Sequence, residues 1–222
     1  MAELDKSRPQ NTEQKRLSVF PLAGVVLFPG MQLPLHIFEP RYRAMVSAAL
    51  AGDRLIAMIQ PRTLINKIDD QDKPPLFDIG CVGRITDVEA LEDGRYNILL
   101  EGLARFHITR ELDVTTPFRQ VEADVELAAS NDDYLSSIER AALEKEARTF
   151  ADRQGYMVDW SAVSQLDDLA FVNGIAQVAP FDAAAKQGML EADNLNIRAE
   201  LIMQLMQFFG RRDSDDETVT LQ

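Results

Sequence analysis

The apolar pattern of the sequence changes its period near residue 128. Before that point, short apolar runs are separated by turn signals such as Pro29-Gly30 and Asp93-Gly94, which is typical of strands joined by tight turns. After that point, apolar residues recur every three or four positions, which favours helices. We therefore predict an α+β chain with a strand-rich part over residues 17–128 and a helical part over residues 129–210.

The strand-rich part is predicted to contain about seven short strands and one helix. Pro40 suits the first position of that helix, and Gly52 suits its end. A doubly wound parallel sheet would need more crossover helices than this segment supplies. A small closed or partly closed β structure is therefore favoured.

The helical part is predicted to hold four helices. Asp132 or Asp133 caps the first, and Gly210 ends the last. Their predicted spans are from the cap to Gln154, from Leu166 to Val178, from Asp182 to Leu190 and from Asn194 to Phe209. The polar ends of the chain, residues 1–16 and the acidic residues 211–222, are predicted to be disordered tails.

The charge balance argues against a nucleic-acid partner. The chain has 23 Lys and Arg against 36 Asp and Glu, a net charge of −13, and its basic residues are not clustered as a phosphate-binding surface requires. The single cysteine, Cys81, cannot form an internal disulfide, which fits a reducing compartment. With no secretory or membrane-spanning run evident, we expect a cytoplasmic protein without a membrane partner.

Several segments, taken in order, resemble the N-terminal domain of Lon proteases. The resemblance covers about residues 17–209 and is specific in combination, although no single piece is. The stretch Leu35–Tyr42 is most similar to short bacterial proteins that consist of that domain alone. The matching segments are Val19–Leu22, Val25–Met31, Leu33–Leu35, Phe77–Gly83, Asp93-Gly94, Leu100–Phe106, Leu169–Ala179, Pro180–Asp182, Lys186-Gln187 and Leu190–Ala192.

The resemblance implies a PUA-like small β-barrel with one inserted helix, followed by a C-terminal helical bundle. It also implies a domain that helps to select unfolded or tagged polypeptides, or an adaptor for a separate protease or ATPase. The sequence contains no Gly-x-x-x-x-Gly-Lys-Ser/Thr phosphate loop and nothing that resembles the Lon peptidase motif. We therefore expect a binding module without enzymatic activity or cofactor. The alternative is a PUA-like module that binds RNA or a small ligand.

Two sets of residues are candidates for a role. The apolar turn and the start of the first helix are one candidate for a polypeptide-binding surface. The alternative is that the same turn packs against the sheet. The residues concerned are Phe28, Pro29, Met31, Phe38 and Tyr42. A structural role is predicted for the turn, bend and corner positions Gly30, Glu39, Arg41, Gly80, Gly83, Gly94, Glu101, Gly102 and Arg105. Within that set, Glu101 and Arg105 are predicted to form a buried ion pair.

Catalytic and metal sites are not expected. Cys81 lies among apolar neighbours, which favours a buried structural thiol over a nucleophile. A zinc site needs about four Cys or His ligands, whereas the chain has one cysteine and two scattered histidines, His36 and His107.

Overall fold

The computed structural model describes residues 11–62, 73–127 and 134–216. The chain divides into two compact units, residues 1–129 and 130–222. The first unit holds the β-strands and one helix, and the second is helical, so the fold is α+β. Within the described residues, no helix is both long and apolar enough to cross a membrane.

The first unit contains six strands and one helix among its described residues. Helix α1, Pro40–Leu50, begins with proline at its first turn, as predicted. The strands are β1 Thr12–Pro21, β2 Gln32–Ile37, β3 Leu55–Ile59, β4 Ile79–Ala90, β5 Tyr96–Glu111 and β6 Gln120–Glu126.

The strands pair in the order β2-β5-β4-β3-β1-β6, and β5 also pairs with β6. The pairings therefore form a closed circuit through β5, β4, β3, β1 and β6. Strand β5 is long enough to pair with two strands in succession. Its first part, Tyr96–Glu101, pairs with β2, and its second part, Phe106–Glu111, pairs with β6. All pairs are antiparallel except β1 with β3, and α1 lies in the connection between those two strands.

The predicted N-terminal tail is wrong for residues 12–16. These residues form the first half of β1, and Thr12 to Ser18 pair with β6 from Glu126 back to Gln120. Their side chains are mostly polar, so the apolar pattern began only at Leu17. Strand pairing uses the backbone, which polar side chains do not prevent. Residues 1–10 lie outside the described residues.

Two apolar clusters fill the first unit. One surrounds α1, whose Tyr42, Met45, Val46 and Ala49 pack with residues such as Ile85. The second lies among the closed circuit of strands and consists of Leu17, Val19, Ala57, Ile59, Val82, Phe106, Val121, Ala123 and Val125. Alternate positions of β6 supply its last three members, which is the period expected of a strand with one buried face.

The second unit contains five helices among its described residues: α2 Ser137–Gln154, α3 Trp160–Val163, α4 Asp168–Val178, α5 Ala183–Glu191 and α6 Leu195–Asp216. The cap predicted at Asp132 or Asp133 is wrong, because Ser136 and Glu139 form a capping box at the start of α2. The Asp182 cap of α5 is as predicted, since its side chain accepts from the Ala185 amide.

The end of the last helix also differs from the prediction. Helix α6 continues through Gly210 to Asp216, so the expected disorder is wrong for residues 211–216. A single glycine weakens a helix interior by only about 1 kcal/mol, which does not force an end. Residues 217–222 and residues 128–133, where the apolar pattern changes its period, lie outside the described residues.

A buried guanidinium joins three of these helices. Arg198 of α6 donates from Nε to the Met189 carbonyl at 2.7 Å and from Nη1 to Asn173 Oδ1 at 2.7 Å. All three residues are almost fully buried. Because a buried cation is costly without hydrogen bonds, this network fixes α4 and α5 relative to α6.

Candidate functional site

The five residues predicted to form a polypeptide-binding surface differ widely in exposure. Phe28 is 0% exposed and Tyr42 is 6% exposed, so neither side chain presents an exposed apolar surface on which a polypeptide segment could pack. The Tyr42 ring packs against Phe20 with centroids 4.2 Å apart, and its hydroxyl donates to the Pro21 carbonyl at 3.4 Å. For Phe28 and Tyr42 the binding hypothesis is therefore wrong, because both side chains are buried, and for the rest of the turn it stays a prediction.

The other three differ in exposure. Pro29 is half-buried, and Met31 is half-buried and packs against the apolar cluster around α1. Phe38 is 60% exposed, and its ring stacks on the His36 imidazole with centroids 6.2 Å apart. Phe38 alone of the five offers a large exposed apolar side chain.

Gly102 occupies the corner between the two halves of β5, where only a glycine fits. A Cβ there would lie 2.2 Å from the Phe28 carbonyl oxygen. The turn before β2 is bonded to this corner, since the Gly30 amide donates to the Gly102 carbonyl and the Gly102 amide donates to the Met31 carbonyl, each at 2.8 Å. Gly30 itself has φ +79°, a left-handed conformation that favours glycine.

The remaining glycines of the structural set have their own close neighbours. A Cβ at Gly80 would lie 2.4 Å from the Met58 carbonyl oxygen, and one at Gly83 would lie 2.9 Å from Leu27. Gly94 has φ +78° and closes the β4–β5 hairpin, where the Arg43 guanidinium packs over it. All three positions thus shape the sheet and its hairpin.

The charged members of the structural set form two separate contacts. Glu39 pairs with Arg41 at 2.8 Å, and the Arg41 guanidinium stacks 4.5 Å from the centre of the Tyr42 ring. The predicted pair of Glu101 with Arg105 is wrong, because Arg105 pairs with Glu126 of β6 at 2.8 Å. Four residues along a strand are about 13 Å apart, which explains why Glu101 is not the partner.

The cysteine and histidines are placed in structural settings. Cys81 is fully buried in β4. His36 hydrogen-bonds to Asn97 and Arg95, and His107 Nε2 lies 3.0 Å from Glu126 Oε1. Within the described ranges, no group of His, Cys, Asp or Glu side chains is arranged to hold a metal ion.

An apolar groove of about 540 Å³ lies in the helical unit and was not predicted from the sequence. Helices α2, α3, α4 and α6 and the segment between α2 and α3 supply its walls. None of the described residues that line it is charged. They are Ala147, Phe150, Ala151, Tyr156, Met157, Val158, Trp160, Val163, Leu166, Phe171, Gly174, Ile175, Val178, Ala179 and Met206.

The rim of the groove exposes large apolar side chains. Met157 is fully exposed and Val178 is 84% exposed, while Tyr156, Val158 and Leu166 are also exposed. Adjacent exposed apolar residues on one concave surface are unusual in a protein that has no partner for them. The Arg148 guanidinium stacks over the Trp160 ring at 4.4 Å, which brings a positive charge close to a groove-lining residue.

Local sequence explains how the rim is held. Gly155 ends α2 in the left-handed conformation, with φ +71°. The Asp159 side chain accepts from the amides of Ser161 and Ala162 and so starts α3. The three apolar residues 156–158 therefore lie between two helix caps. The signal in the sequence was this Tyr-Met-Val run between a helix-ending glycine and a capping aspartate.

Comparison with known proteins identifies the family. The model of the ATP-dependent protease La (LON) substrate-binding domain matches residues 16–207. The Lon protease of Buchnera aphidicola is 26% identical over 204 residues, which cover 89% of this chain and 26% of that protein. The Lon protease of Escherichia coli K12 is 26% identical over 201 residues, which cover 90% of this chain and 25% of that protein. The chain thus spans about a quarter of these relatives.

Two solved structures share the fold. The Lon N-terminal domain protein of Xanthomonas campestris has a TM-score of 0.61 at 20% identity. The N-terminal domain of the Mycobacterium avium complex Lon protease has a TM-score of 0.66, also at 20% identity. Each alignment covers 87% of this chain and 98% of the other. The chain therefore belongs to the family of the ATP-dependent protease La (LON) substrate-binding domain.

Proposed function

We propose that this chain is a non-enzymatic module that captures unfolded polypeptides, and that the apolar groove of the helical unit is where it binds them. The observation that carries the proposal is the exposed rim of the groove, with Met157 and Val178 at its surface and no charged residue among the described lining. The family's description as a substrate-binding domain supports a polypeptide ligand. The apolar segments that an unfolded chain exposes, and a folded one buries, match this lining.

The expected affinity is modest. Burial of apolar surface contributes about 25 cal/mol per Å², so two or three side chains in the groove stabilise a complex by several kcal/mol. Ordering of a flexible segment opposes that gain. We therefore expect dissociation constants in the micromolar range or weaker, with little dependence on salt because none of the described residues that line the groove is charged.

We also propose that the first unit is a PUA-like β-barrel and that the helices of the second form a bundle. The closed circuit of strands supports the barrel, since β5 pairs with both β4 and β6. In this proposal the strand-rich unit is a scaffold, and an adaptor role, in which it docks on a separate protease or ATPase, is the alternative use of its surface. Co-purification with a tagged Lon ATPase–peptidase that lacks its own N-terminal domain tests the adaptor role.

The experiment measures fluorescence anisotropy of a labelled, chemically unfolded polypeptide titrated with the purified protein. The folded form of the same polypeptide is the first control. The variant Met157→Ser/Val178→Ser removes two exposed rim side chains without opening the core, and we expect it to bind at least tenfold more weakly.

Ile138→Ser is the matched control. Ile138 is 82% exposed on α2 in the same unit and does not line the groove. Its loss is expected to change affinity by less than twofold. If the rim variant and the control bind equally well, the groove is not the binding site. If the wild-type protein binds neither form of the polypeptide, capture itself is wrong.

A further inference from the structure

A second concave site lies in the strand-rich unit and differs from the groove in chemistry. This cleft has a volume of about 310 Å³, within the range of small-ligand sites. Among the described residues that line it, three are basic and none is a carboxylate, although the chain as a whole carries a net charge of −13. Its lining residues are Pro21, Ala23, Arg41, Tyr42, Pro61, Lys73, Pro74, Val114, Thr116, Pro117, Phe118 and Arg119.

The two guanidinium groups are held in place by their own contacts. Arg41 uses Nε and Nη2 for Glu39 and stacks over the Tyr42 ring. Arg119 is only 13% exposed; its Nε and Nη2 donate to the two oxygens of Glu111 at 2.8 and 2.6 Å. Arg119 also donates from Nη1 to the Pro74 carbonyl at 2.8 Å. A guanidinium carries five N–H donors, so each retains N–H groups beyond these contacts. Fixed donors lose less entropy on binding than mobile ones.

The charge of the cleft suits a single negative group. Arg41, Lys73 and Arg119 supply three positive charges, and their two partners Glu39 and Glu111 lie outside the lining. Among the residues that the structure describes here, one positive charge therefore remains in excess. A monovalent carboxylate neutralises that excess, whereas a phosphate dianion leaves a net negative charge in a partly enclosed site.

The walls are apolar and stiff. Four of the lining residues are prolines, whose φ is fixed by their rings, and Phe118 is almost fully buried. Tyr42 forms part of the same surface, and burial raises the pKa of its hydroxyl, which stays neutral at physiological pH. Such walls contact a small hydrocarbon or aromatic group without reorganising.

We propose that this cleft binds a carboxylate attached to a small apolar body. Arg41, Lys73 and Arg119 bind the carboxylate, and the proline and aromatic walls contact the body. The ligand is either a free organic acid or the C-terminal carboxylate of a polypeptide, because both present the same group. The assignment concerns the strand-rich unit alone, so it stands or fails independently of the groove in the helical unit.

Isothermal titration calorimetry of the full chain with N-acetylphenylalanine tests the site, and N-acetylphenylalaninamide is the uncharged comparison. We expect the acid to bind at least tenfold more tightly than the amide and to weaken as salt rises. The double variant Arg41→Gln/Lys73→Gln is expected to weaken binding of the acid at least tenfold. Both side chains are exposed, and Arg119 is left in place because it is part of the packed wall.

Arg84→Gln/Arg54→Gln is the matched control, since it removes two exposed positive charges from the same unit outside the cleft and is expected to change binding less than twofold. Thermal melts verify that all variants are folded. Equal binding of acid and amide, no binding of either, or full binding by the Arg41/Lys73 variant would each overturn the proposal. Equal competition by inorganic phosphate would overturn the apolar part of the assignment.

A competition experiment distinguishes a polypeptide C-terminus from a free organic acid as the source of the carboxylate. A short peptide that ends in phenylalanine is added with its C-terminus either free or amidated. Displacement of N-acetylphenylalanine by the free-ended peptide alone supports a polypeptide C-terminus as the ligand. Displacement by neither peptide supports a free small acid, because the cleft then excludes a chain.

Discussion

At the scale of single residues, the fold depends on the absence of a Cβ atom at Gly102. Its backbone passes within van der Waals contact of the Phe28 carbonyl, and its amide and carbonyl bond the turn that contains Gly30. The corner of β5 therefore cannot form as it does unless this turn packs against it. A side chain at this position would have to move backbone, which is stiffer than a side-chain end.

Gly102→Ala is therefore expected to destabilise the first unit by about 1–3 kcal/mol. Gly52→Ala is the control, because a Cβ there meets its nearest atom, the Ala48 carbonyl oxygen, at an ordinary 3.6 Å. Urea unfolding followed by circular dichroism gives both free energies. Equal stability of the two variants would show that the corner relaxes without cost.

Glu126 shows a residue-scale effect of pH. Burial raises the pKa of its carboxyl, but the hydrogen bonds from His107 and Arg105 outweigh burial and lower it. A carboxyl with a lowered pKa in the folded state stabilises that state above the unfolded pKa, and the contribution is lost as the pH falls through the folded value. The stabilisation is therefore complete near neutrality and declines below the ordinary value of 4.5.

The variant Glu126→Gln tests this sign. We expect wild type to be more stable than the variant at pH 7, and the difference in free energy of unfolding to shrink as the pH is lowered below about 4.5. Urea unfolding of both proteins at several pH values measures it. A difference that stays constant down to pH 3 would show that the carboxyl does not gain from its ionised form.

At the scale of elements, sequence patterns were most reliable where the apolar periodicity agreed with the residues that typically begin or end helices and strands. Helix α1 starts at the predicted Pro40 and ends at Leu50, two residues before the predicted Gly52. The apolar pattern did not predict elements that depend on backbone pairing, such as the polar half of β1. It also did not predict a helix cap inside a loop, such as Ser136. The ion pair of Arg105 was missed because its partner Glu126 lies on another strand.

The polar half of β1 gives a direct test at this scale. Deletion of residues 1–16 removes Thr12–Arg16, which pair with β6, whereas deletion of residues 1–10 keeps the whole strand. We expect the longer deletion to be less stable than the shorter by at least about 2 kcal/mol, from the lost backbone hydrogen bonds. Equal melting of the two deletions would mean that residues 12–16 do not form part of the folded sheet.

At the scale of the whole molecule, the two units carry two different kinds of surface. The helical unit presents a groove whose described lining is apolar and without charge, and the described lining of the cleft in the strand-rich unit carries three basic residues. The sequence predicted the family and the change from strands to helices near residue 128. It could not predict the groove, because the exposure of Tyr156, Met157 and Val158 depends on how α2, α4 and α6 pack.

The central claim is that the groove captures apolar segments of unfolded polypeptides. Hydrogen–deuterium exchange of the full chain, with and without an excess of a permanently unfolded polypeptide whose C-terminus is amidated, tests it most directly. The claim predicts slower exchange of the amides at residues 156–158 and at the end of α4 around Val178, and unchanged exchange in α1 and in β1 to β6. Protection confined to the strand-rich unit, or no protection anywhere, would contradict it.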